Sequence, residues 1–195
     1  VTRTQVFLGH DGRELRPALT WKDARADAAG TRLRETAGQH SEAGRINAFH
    51  PLARLAWLAE AAPADFAALA QVLEPKDYLN FRLTGRQASD PISAARLVAS
   101  ALPAGAGSLL AALGLSSSVI PTLLEPCEIV DPVRTGLPAP FDRLAGRPVF
   151  CGCNDTWAAV AGLGALRTGY AYNISGTTEV LGVLGPAEIE AEGLI

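Results

Sequence analysis

One segment, residues 147–184, constrains the fold of this chain more than any other. Apolar runs at 148–151 and 170–175 flank a stretch rich in small residues at 156–166, and a third apolar run follows at 179–184. Short apolar runs bounded by glycine predict strands, whereas the longer stretch of small residues predicts a helix. The segment therefore predicts a strand, an acidic turn, a helix, a strand, a Gly-Thr-Thr turn and a final strand.

Two chemical features lie at the junctions of these predicted elements. Asn154 and Asp155 stand where the first strand passes into the helix, and Gly176, Thr177 and Thr178 follow the second strand. A carboxylate at such a junction can accept a proton, and a glycine turn with hydroxyls can bind an anion. Either Asp155 or Asn154 could instead be the helix N-cap, and Gly-Thr-Thr could be an ordinary hairpin turn. From spacing alone, the capping role is favoured for Asp155.

The preceding residues predict a mixture of strands and helices. Asp11-Gly12 predicts a tight turn between a strand at 5–8 and a returning strand at 15–21. Within residues 22–85, proline opens three of the four predicted helices, a position that it tolerates well. The predicted helices are 22–37, 51–61, 63–73 and 75–85. Pro and Gly punctuate residues 135–146, which predicts a domain boundary there and hence domains at 1–146 and 147–195.

The composition limits the class of function. With 195 residues, 48% of them hydrophobic, the chain can bury a large core. A net charge of −3 argues against nucleic acid or an anionic membrane as partner, and no apolar run is long enough to span a bilayer. The three cysteines, an odd number, favour a reducing, cytoplasmic location over a disulfide framework.

Cys151 and Cys153 would point to opposite faces of a strand, which is poor geometry for one metal ion. We therefore predict no metal site within this chain. We interpret the two cysteines as small core residues, and the sequence does not show any further role for them.

Five stretches carry a resemblance to a known family. They are WKDAR at 21–25, PKDYLNFRLTG at 75–85, ASDPISAA at 88–95, GCNDTWAA at 152–159 and ISGTT at 174–178. In this order and spacing they resemble the FGGY family of carbohydrate kinases, with xylulokinases and gluconokinases the most similar members. The resemblance extends over about residues 4–195.

The resemblance implies an α/β, actin/hexokinase-like (ribonuclease H-like) fold with two domains and a cleft that binds a sugar and ATP–Mg²⁺. Residues 1–146 would be the later part of the first, sugar-binding domain, and residues 147–195 the start of the second. The family's DxGTT phosphate loop and its adenine-binding region do not occur in the 195 residues. We therefore expect the chain to be a portion of a longer protein, incomplete for activity, with the main Mg²⁺ ligand elsewhere.

The resemblance also implies roles for individual residues. Asp155 matches the base that accepts the proton of the sugar hydroxyl, and Gly176, Thr177 and Thr178 match the turn that contacts the ATP phosphates. The expected sugar contacts are Trp21, Asp23, Arg25, Phe49, His50, Asn154 and Thr156. Several have ordinary alternatives: Asp23 could cap a helix or pair with Arg25, and His50 could be a surface loop residue.

Lys76, Asp77 and Asp90 carry the resemblance but are interpreted as holding the fold, with Asp77 a cap or bridge and Asp90 a cap for the turn after Ser89.

The implied function is transfer of the ATP γ-phosphoryl group to a hydroxyl of a ketopentose such as xylulose, or of a related aldonate or polyol. The partners would be the sugar and ATP, and a homodimer remains open. The alternative is a non-catalytic sugar-binding or regulatory module that lacks the nucleotide-binding half.

Overall fold

The computed structural model describes residues 3–103, 107–176 and 179–187. The chain forms two compact units, unit 1 (Val1–Cys153) and unit 2 (Asn154–Ile195). In the described part of the chain, no helix is long and apolar enough to cross a membrane.

Unit 1 begins with a two-stranded antiparallel sheet, β1 (Val6–Gly9) paired with β2 (Leu69–Leu73). Between these strands lie three helices: α1 (Asp27–Thr36), α2 (Pro51–Ala61) and α3 (Pro63–Ala67). α4 (Pro75–Thr84) follows β2 directly. Gly85 ends α4 in the left-handed conformation, with φ of 87°, as a C-terminal glycine commonly does.

The remainder of unit 1 consists of short elements. β3 (Ala88–Ser89) pairs in parallel with β4 (Thr122–Leu123), and the helices α5 (Ala95–Ala101) and α6 (Leu109–Ala112) lie between them. β5 (Ile129–Pro132) pairs antiparallel with β6 (Pro148–Phe150). Single turns of 3-10 helix occur at Ala43–Arg45, Ser117–Val119 and Phe141–Leu144.

The core of unit 1 is built around α2. Leu52, Leu55 and Leu58 of this helix are completely buried and pack with α1, β1 and β2. A second, smaller cluster of Val6, Leu8 and Leu73 covers the opposite face of the β1–β2 sheet. Since side chains alternate along a strand, the two strands serve both clusters.

Unit 2 contains one helix and one hairpin among its described residues. α7 (Asp155–Gly162) is followed by β7 (Ala171–Ser175) and β8 (Glu179–Val183), which pair antiparallel with Ser175 opposite Glu179. The predicted order of strand, acidic turn, helix and two further strands across 147–184 is confirmed, and Thr177 and Thr178 of the predicted Gly-Thr-Thr turn lie outside the described residues.

Among the predictions for residues 5–73, one is wrong and another is confirmed only in part. The helix predicted over 63–73 ends at Ala67, and 69–73 is β2. β1 pairs with β2, whereas the segment expected to return as a strand makes only isolated bridges, Gln5 with Leu19 and Leu8 with Glu14. A five-residue apolar run is compatible with either a helix or a strand, and the pairing with β1 makes residues 69–73 a strand.

The helix predicted over 22–37 is shorter than expected, because 22–26 form turns and α1 starts at Asp27.

Residues 135–146 connect β5 to β6 inside unit 1. Val133 N donates to Arg147 O at 2.8 Å and Gly146 N donates to Val133 O at 2.8 Å, so the two ends of this connection lie together. The domain division at residue 146 stays a prediction.

Candidate functional site

The acidic turn begins unit 2. Asn154 is the N-cap of α7, because its Oδ1 accepts a hydrogen bond from Trp157 N at 3.0 Å. Asp155 is the first residue of the helix, is exposed, and accepts a hydrogen bond from Thr156 N at 2.9 Å. Asn154 therefore takes the capping role that spacing alone had favoured for Asp155. The carboxylate lies in the first helical turn, where the helix dipole favours an acidic residue.

α7 packs on the strand that follows it. The rings of Trp157 and Tyr172 lie 6.4 Å apart, with their planes inclined by 58°. Such tilted aromatic pairs are favourable beyond the area that they bury. This contact holds the helix that bears Asp155 on β7. Asn154, Asp155 and Thr156 are thereby grouped at one helix end.

The Gly-Thr-Thr turn joins β7 to β8. Gly176 is exposed at the end of β7, while Thr177 and Thr178 lie outside the described residues. Glu179 closes the hairpin: its Oε1 accepts hydrogen bonds from Asn173 Nδ2 at 2.9 Å and from Ser175 Oγ at 3.2 Å. Sequence reasoning did not single out this carboxylate, and only the strand register brings the three side chains together.

In unit 1, Asp23 and Arg25 pair with each other. Asp23 Oδ1 accepts hydrogen bonds from Arg25 Nε at 2.8 Å and from Arg25 N at 3.1 Å, and the hydrogen bond from the guanidinium lowers the pKa of Asp23. Asp23 does not cap α1, which begins four residues later. The guanidinium of Arg25 also lies 5.2 Å from the ring centre of Trp57, while Trp21 is 38% exposed.

His50 is buried, so the expectation of an exposed loop histidine is wrong. Its Nδ1 accepts a hydrogen bond from Leu52 N at 3.2 Å and caps α2. Its Nε2 therefore carries the proton and donates to Glu42 Oε2 at 3.1 Å. With both ring nitrogens bonded, the geometry gives His50 a structural role. The neighbouring Phe49 is half-buried, and the proposed sugar contacts of both residues stay predictions.

A buried ionic cluster links α4 to β3. Lys76 Nζ pairs with Asp77 and lies 2.8 Å from Asp90 Oδ2, and Ser89 Oγ donates to Asp77 Oδ2 at 2.6 Å. Asp77 also forms a capping box with Glu74, and Asp90 Oδ1 accepts the N–H groups of Ile92 and Ser93. The interpretation that Asp77 caps and bridges, and that Asp90 caps a turn, is confirmed.

Burial governs the protonation of this cluster. It raises the pKa of Asp77, and together with the charge of Asp77 it raises the pKa of Glu74 to about 7. Burial alone would lower the pKa of Lys76, but the two aspartates outweigh it and raise that pKa. Lys76 is therefore a permanently charged link between α4 and β3 at neutral pH.

No group of three or more acidic, histidine or cysteine side chains that could hold a metal ion occurs among residues 3–103, 107–176 and 179–187. Cys151 is buried with Ala88 and Val130 in a small core cluster, as expected for a small core residue. Cys153 is half-buried.

Comparisons with known proteins agree on one family. The model of the N-terminal domain of the FGGY family of carbohydrate kinases matches residues 1–162. A xylulose kinase of Streptomyces rubiginosus is 36% identical over 166 residues, which cover 82% of this chain and 34% of the relative. A xylulose kinase of Streptomyces coelicolor is 34% identical over 193 residues, which cover 94% of this chain and 40% of the relative.

Solved structures give the same result. The crystal structure of a xyloylose kinase from Brucella ovis superimposes with a TM-score of 0.78 at 31% identity, and the match covers 92% of this chain and 38% of that one. The chain thus spans between 34% and 40% of the length of these relatives.

Proposed function

The chain belongs to the FGGY family of carbohydrate kinases and has the actin/hexokinase-like fold of that family, and we propose that the protein transfers the γ-phosphoryl group of ATP to a hydroxyl of a sugar. Two relatives that match most of this chain are xylulose kinases. We therefore propose a ketopentose such as xylulose as the acceptor, with a related aldonate or polyol as the alternative. We further propose a cytoplasmic location and the domain division at residue 146.

The observation that carries the proposal is the arrangement of the acidic turn. Asn154 caps α7, so the carboxylate of Asp155 is not required for capping and is exposed in the first turn. A base for a sugar hydroxyl must reach that hydroxyl from an open position. In the proposed mechanism Asp155 accepts the hydroxyl proton as the oxygen attacks the γ-phosphorus. Asn154 and Thr156 contact the sugar from the same helix end.

The other proposed contacts lie in the two separate units. In unit 1, the proposed sugar contacts are Trp21, Asp23, Arg25, Phe49 and His50. In unit 2, the backbone and hydroxyls of 176–178 would contact the ATP phosphates. Mg²⁺ would neutralise phosphate charge in such a reaction, but the described residues offer it no cluster of ligands, and we assign it none.

The test replaces Asp155 in the full-length protein that contains this chain. We expect Asp155→Asn to lower kcat for xylulose phosphorylation by about 10²- to 10⁴-fold, the usual contribution of a general base. ADP release in a coupled assay measures this. Asp27→Asn is the matched control, since Asp27 is also an exposed first residue of a helix, α1. Undiminished turnover in Asp155→Asn would refute the role of base.

The same protein tests the alternative of a non-catalytic module. If no sugar in a panel of ketopentoses, aldonates and polyols stimulates ADP release, but calorimetry still detects sugar binding, the protein is a binding module. Light scattering after size-exclusion chromatography establishes whether it is a homodimer.

A further inference from the structure

The guanidinium of Arg25, in unit 1, is held at one edge and on its face. Its Nε donates to Asp23 Oδ1 at 2.8 Å, and its Cζ lies 5.2 Å from the centre of the Trp57 ring. Tryptophan is the aromatic side chain that attracts a cation most strongly, and contacts within about 6 Å of the ring centre are favourable. The plane of this cation is therefore defined by two different partners.

The two terminal nitrogens of Arg25 point to no partner in the described part of the chain. No described residue accepts a hydrogen bond from Nη1 or Nη2, and the side chain is 50% exposed. These two atoms carry all but one of the N–H groups of a guanidinium, in a fixed plane that can serve two oxygen atoms at once. Neighbouring sugar hydroxyls offer two such oxygens, so this edge suits the sugar contact proposed for Arg25.

The backbone that bears Arg25 is fixed from the core of unit 1. Asp23 N donates to Thr20 O at 2.9 Å, and the same carbonyl accepts a hydrogen bond from the buried Arg54 at 2.6 Å. Asp23 Oδ1 also accepts the backbone N–H of Arg25 at 3.1 Å. The main chain and Nε of Arg25 are thus held without Trp57, and the ring adds the support for the face of the guanidinium.

Trp57 offers a rigid face because of its place on α2. Leu55 and Leu58 beside it are completely buried, and Trp57 is half-buried and packs on the same core. The Cζ of Arg16 lies 4.6 Å from the centre of the same ring, and Arg16 pairs with Asp65 at 3.7 Å. The ring is therefore held in place by contacts that do not involve Arg25.

We propose that Trp57 is a positioning residue for sugar binding, acting through the guanidinium of Arg25. This inference rests on the proposed function, in which Arg25 contacts the sugar. An arginine side chain that rotates freely has to be immobilised when a ligand binds, which weakens binding by about 3- to 10-fold. With Trp57 present, the guanidinium is ordered before the sugar arrives.

The test measures sugar binding by the full-length protein that contains this chain. Trp57→Leu keeps an apolar side chain on the core and removes the ring. We expect it to raise the KM for xylulose, and the Kd measured by calorimetry, by about 3- to 10-fold, while kcat and the KM for ATP change less than about twofold. Trp57→Tyr restores an aromatic face and recovers part of the affinity. If Trp57→Leu does not fold, as judged by circular dichroism, Trp57→Met fills more of the volume without an aromatic face.

Arg16→Met is the matched control, because it removes the other cation from the same ring and leaves Arg25 in place. We expect its Kd for xylulose to stay within about twofold of that of the unmodified protein, since no group that orders Arg25 is lost. If Trp57→Leu likewise lowers the Tm or leaves it unchanged without weakening the binding of xylulose, Trp57 only stabilises the fold and the inference is wrong.

Arg25→Met and the double variant Arg25→Met/Trp57→Leu separate this inference from the proposed function. If Trp57 acts through Arg25, the double variant binds xylulose with the Kd of Arg25→Met alone, because the positioned group is absent from both. A further loss of about threefold or more in the double variant would overturn the inference. An Arg25→Met variant that binds xylulose as tightly as the unmodified protein would instead overturn the proposed sugar contact, and the positioning role of Trp57 with it.

Discussion

Arg54 of α2 is a completely buried cation that ties together separate parts of unit 1. Its Nη1 donates to Arg3 O at 2.6 Å and to Gln5 Oε1, and its Nη2 donates to Thr20 O at 2.6 Å. Burial lowers the pKa of Arg54 to about 10, which still leaves it charged at neutral pH. The fixed fork of a guanidinium suits several carbonyls at once, which a lysine could not serve in the same geometry.

Arg54→Met tests this role, because it keeps the length of the side chain and removes every donor. We expect the free energy of unfolding to fall by about 3 kcal/mol, since the buried acceptors lose their partner. Denaturant-induced unfolding followed by circular dichroism measures the loss. Arg32→Met is the control: it breaks the exposed ion pair with Glu60 and should cost less than about 1 kcal/mol. Equal losses in the two variants would contradict the assigned role.

The sequence predicted the contacts of individual side chains less well than it predicted the helices and strands or the overall fold. The sequence predicted the helix over 51–61, but it gave no sign that Arg54 is buried with the leucines of α2. The reason is physical: the partners of Arg54 are mostly backbone carbonyls, which every residue possesses, so no side-chain pattern marks their convergence. For Asp155, a resemblance in motif order, and not spacing alone, favours the base over the cap, and that role stays a prediction.

Among the elements, α1 and α2 make a close helix–helix contact through a glycine. Gly30 of α1 is buried, and a Cβ added there would lie 3.0 Å from Ala53 Cβ and 3.4 Å from Asn47 O. The small residues at this crossing let the helix backbones approach, and neither can be enlarged without moving a helix.

Gly30→Ala therefore has two opposing effects. The higher helix propensity of alanine contributes about 1 kcal/mol, while overpacking costs about 1–3 kcal/mol, so we expect a net loss of about 1 kcal/mol. Gly162→Ala is the matched control, since no described atom lies within 4 Å of its Cβ position. Thermal unfolding should show a lower Tm for Gly30→Ala and no decrease for Gly162→Ala. A rise in Tm for Gly30→Ala would contradict the close contact.

The local sequence pattern predicted some of the helices and strands correctly and others incorrectly. α2, α4, β6, α7, β7 and β8 lie where proline, glycine and apolar runs placed them, because their ends are marked by residues with strong conformational preferences. β2 was assigned to a helix because its partner β1 is more than sixty positions away in sequence.

On the scale of the whole molecule, Glu42 joins distant parts of unit 1. Its buried carboxylate accepts hydrogen bonds from His50 at 3.1 Å and from Arg96 at 3.3 Å, and lies 3.7 Å from Arg45. These partners belong to the N-cap of α2, to α5 and to a 3-10 turn. Burial opposes the ionisation of Glu42, but the hydrogen bond from His50 and the charge of Arg96 outweigh it and lower its pKa.

The lowered pKa predicts a dependence of stability on pH. Folding favours the ionised form of Glu42, so its contribution to the stability of the fold is present at neutral pH. That contribution is lost as the pH falls below about 4.5 and through the lowered pKa of Glu42 in the folded protein. We expect Glu42→Gln to be less stable than the unmodified protein by about 2–3 kcal/mol at pH 7. In thermal unfolding between pH 3 and pH 8, this difference should shrink only at the acidic end. Exposed Glu35→Gln is the control, and a difference for Glu42→Gln that grew in acid would contradict the prediction.

The overall fold could be predicted because several motifs occur together in a fixed order, which is far more specific than any one of them. The division of the chain is less clearly marked by composition, and the boundary at residue 146 stays a prediction. Pro and Gly at 135–146 signal irregular backbone, but they do not show whether the chain leaves a unit or returns to it. The hydrogen bonds of Val133 with Arg147 and Gly146 bring the two ends of this segment together.

The pairing of β5 with β6 is extended by a hydrogen bond from Gly152 N to Pro126 O at 2.9 Å, which has a practical value. It brings Cys127, which is exposed, beside the last residues of unit 1, whereas Cys151 is buried and its burial raises the pKa of that thiol to about 11. Such a thiol reacts slowly with maleimides at neutral pH. With Cys153 changed to Ser, a fluorophore could be attached selectively to Cys127. Its emission would follow changes around the last residues of unit 1 during turnover, without relying on the release of a product.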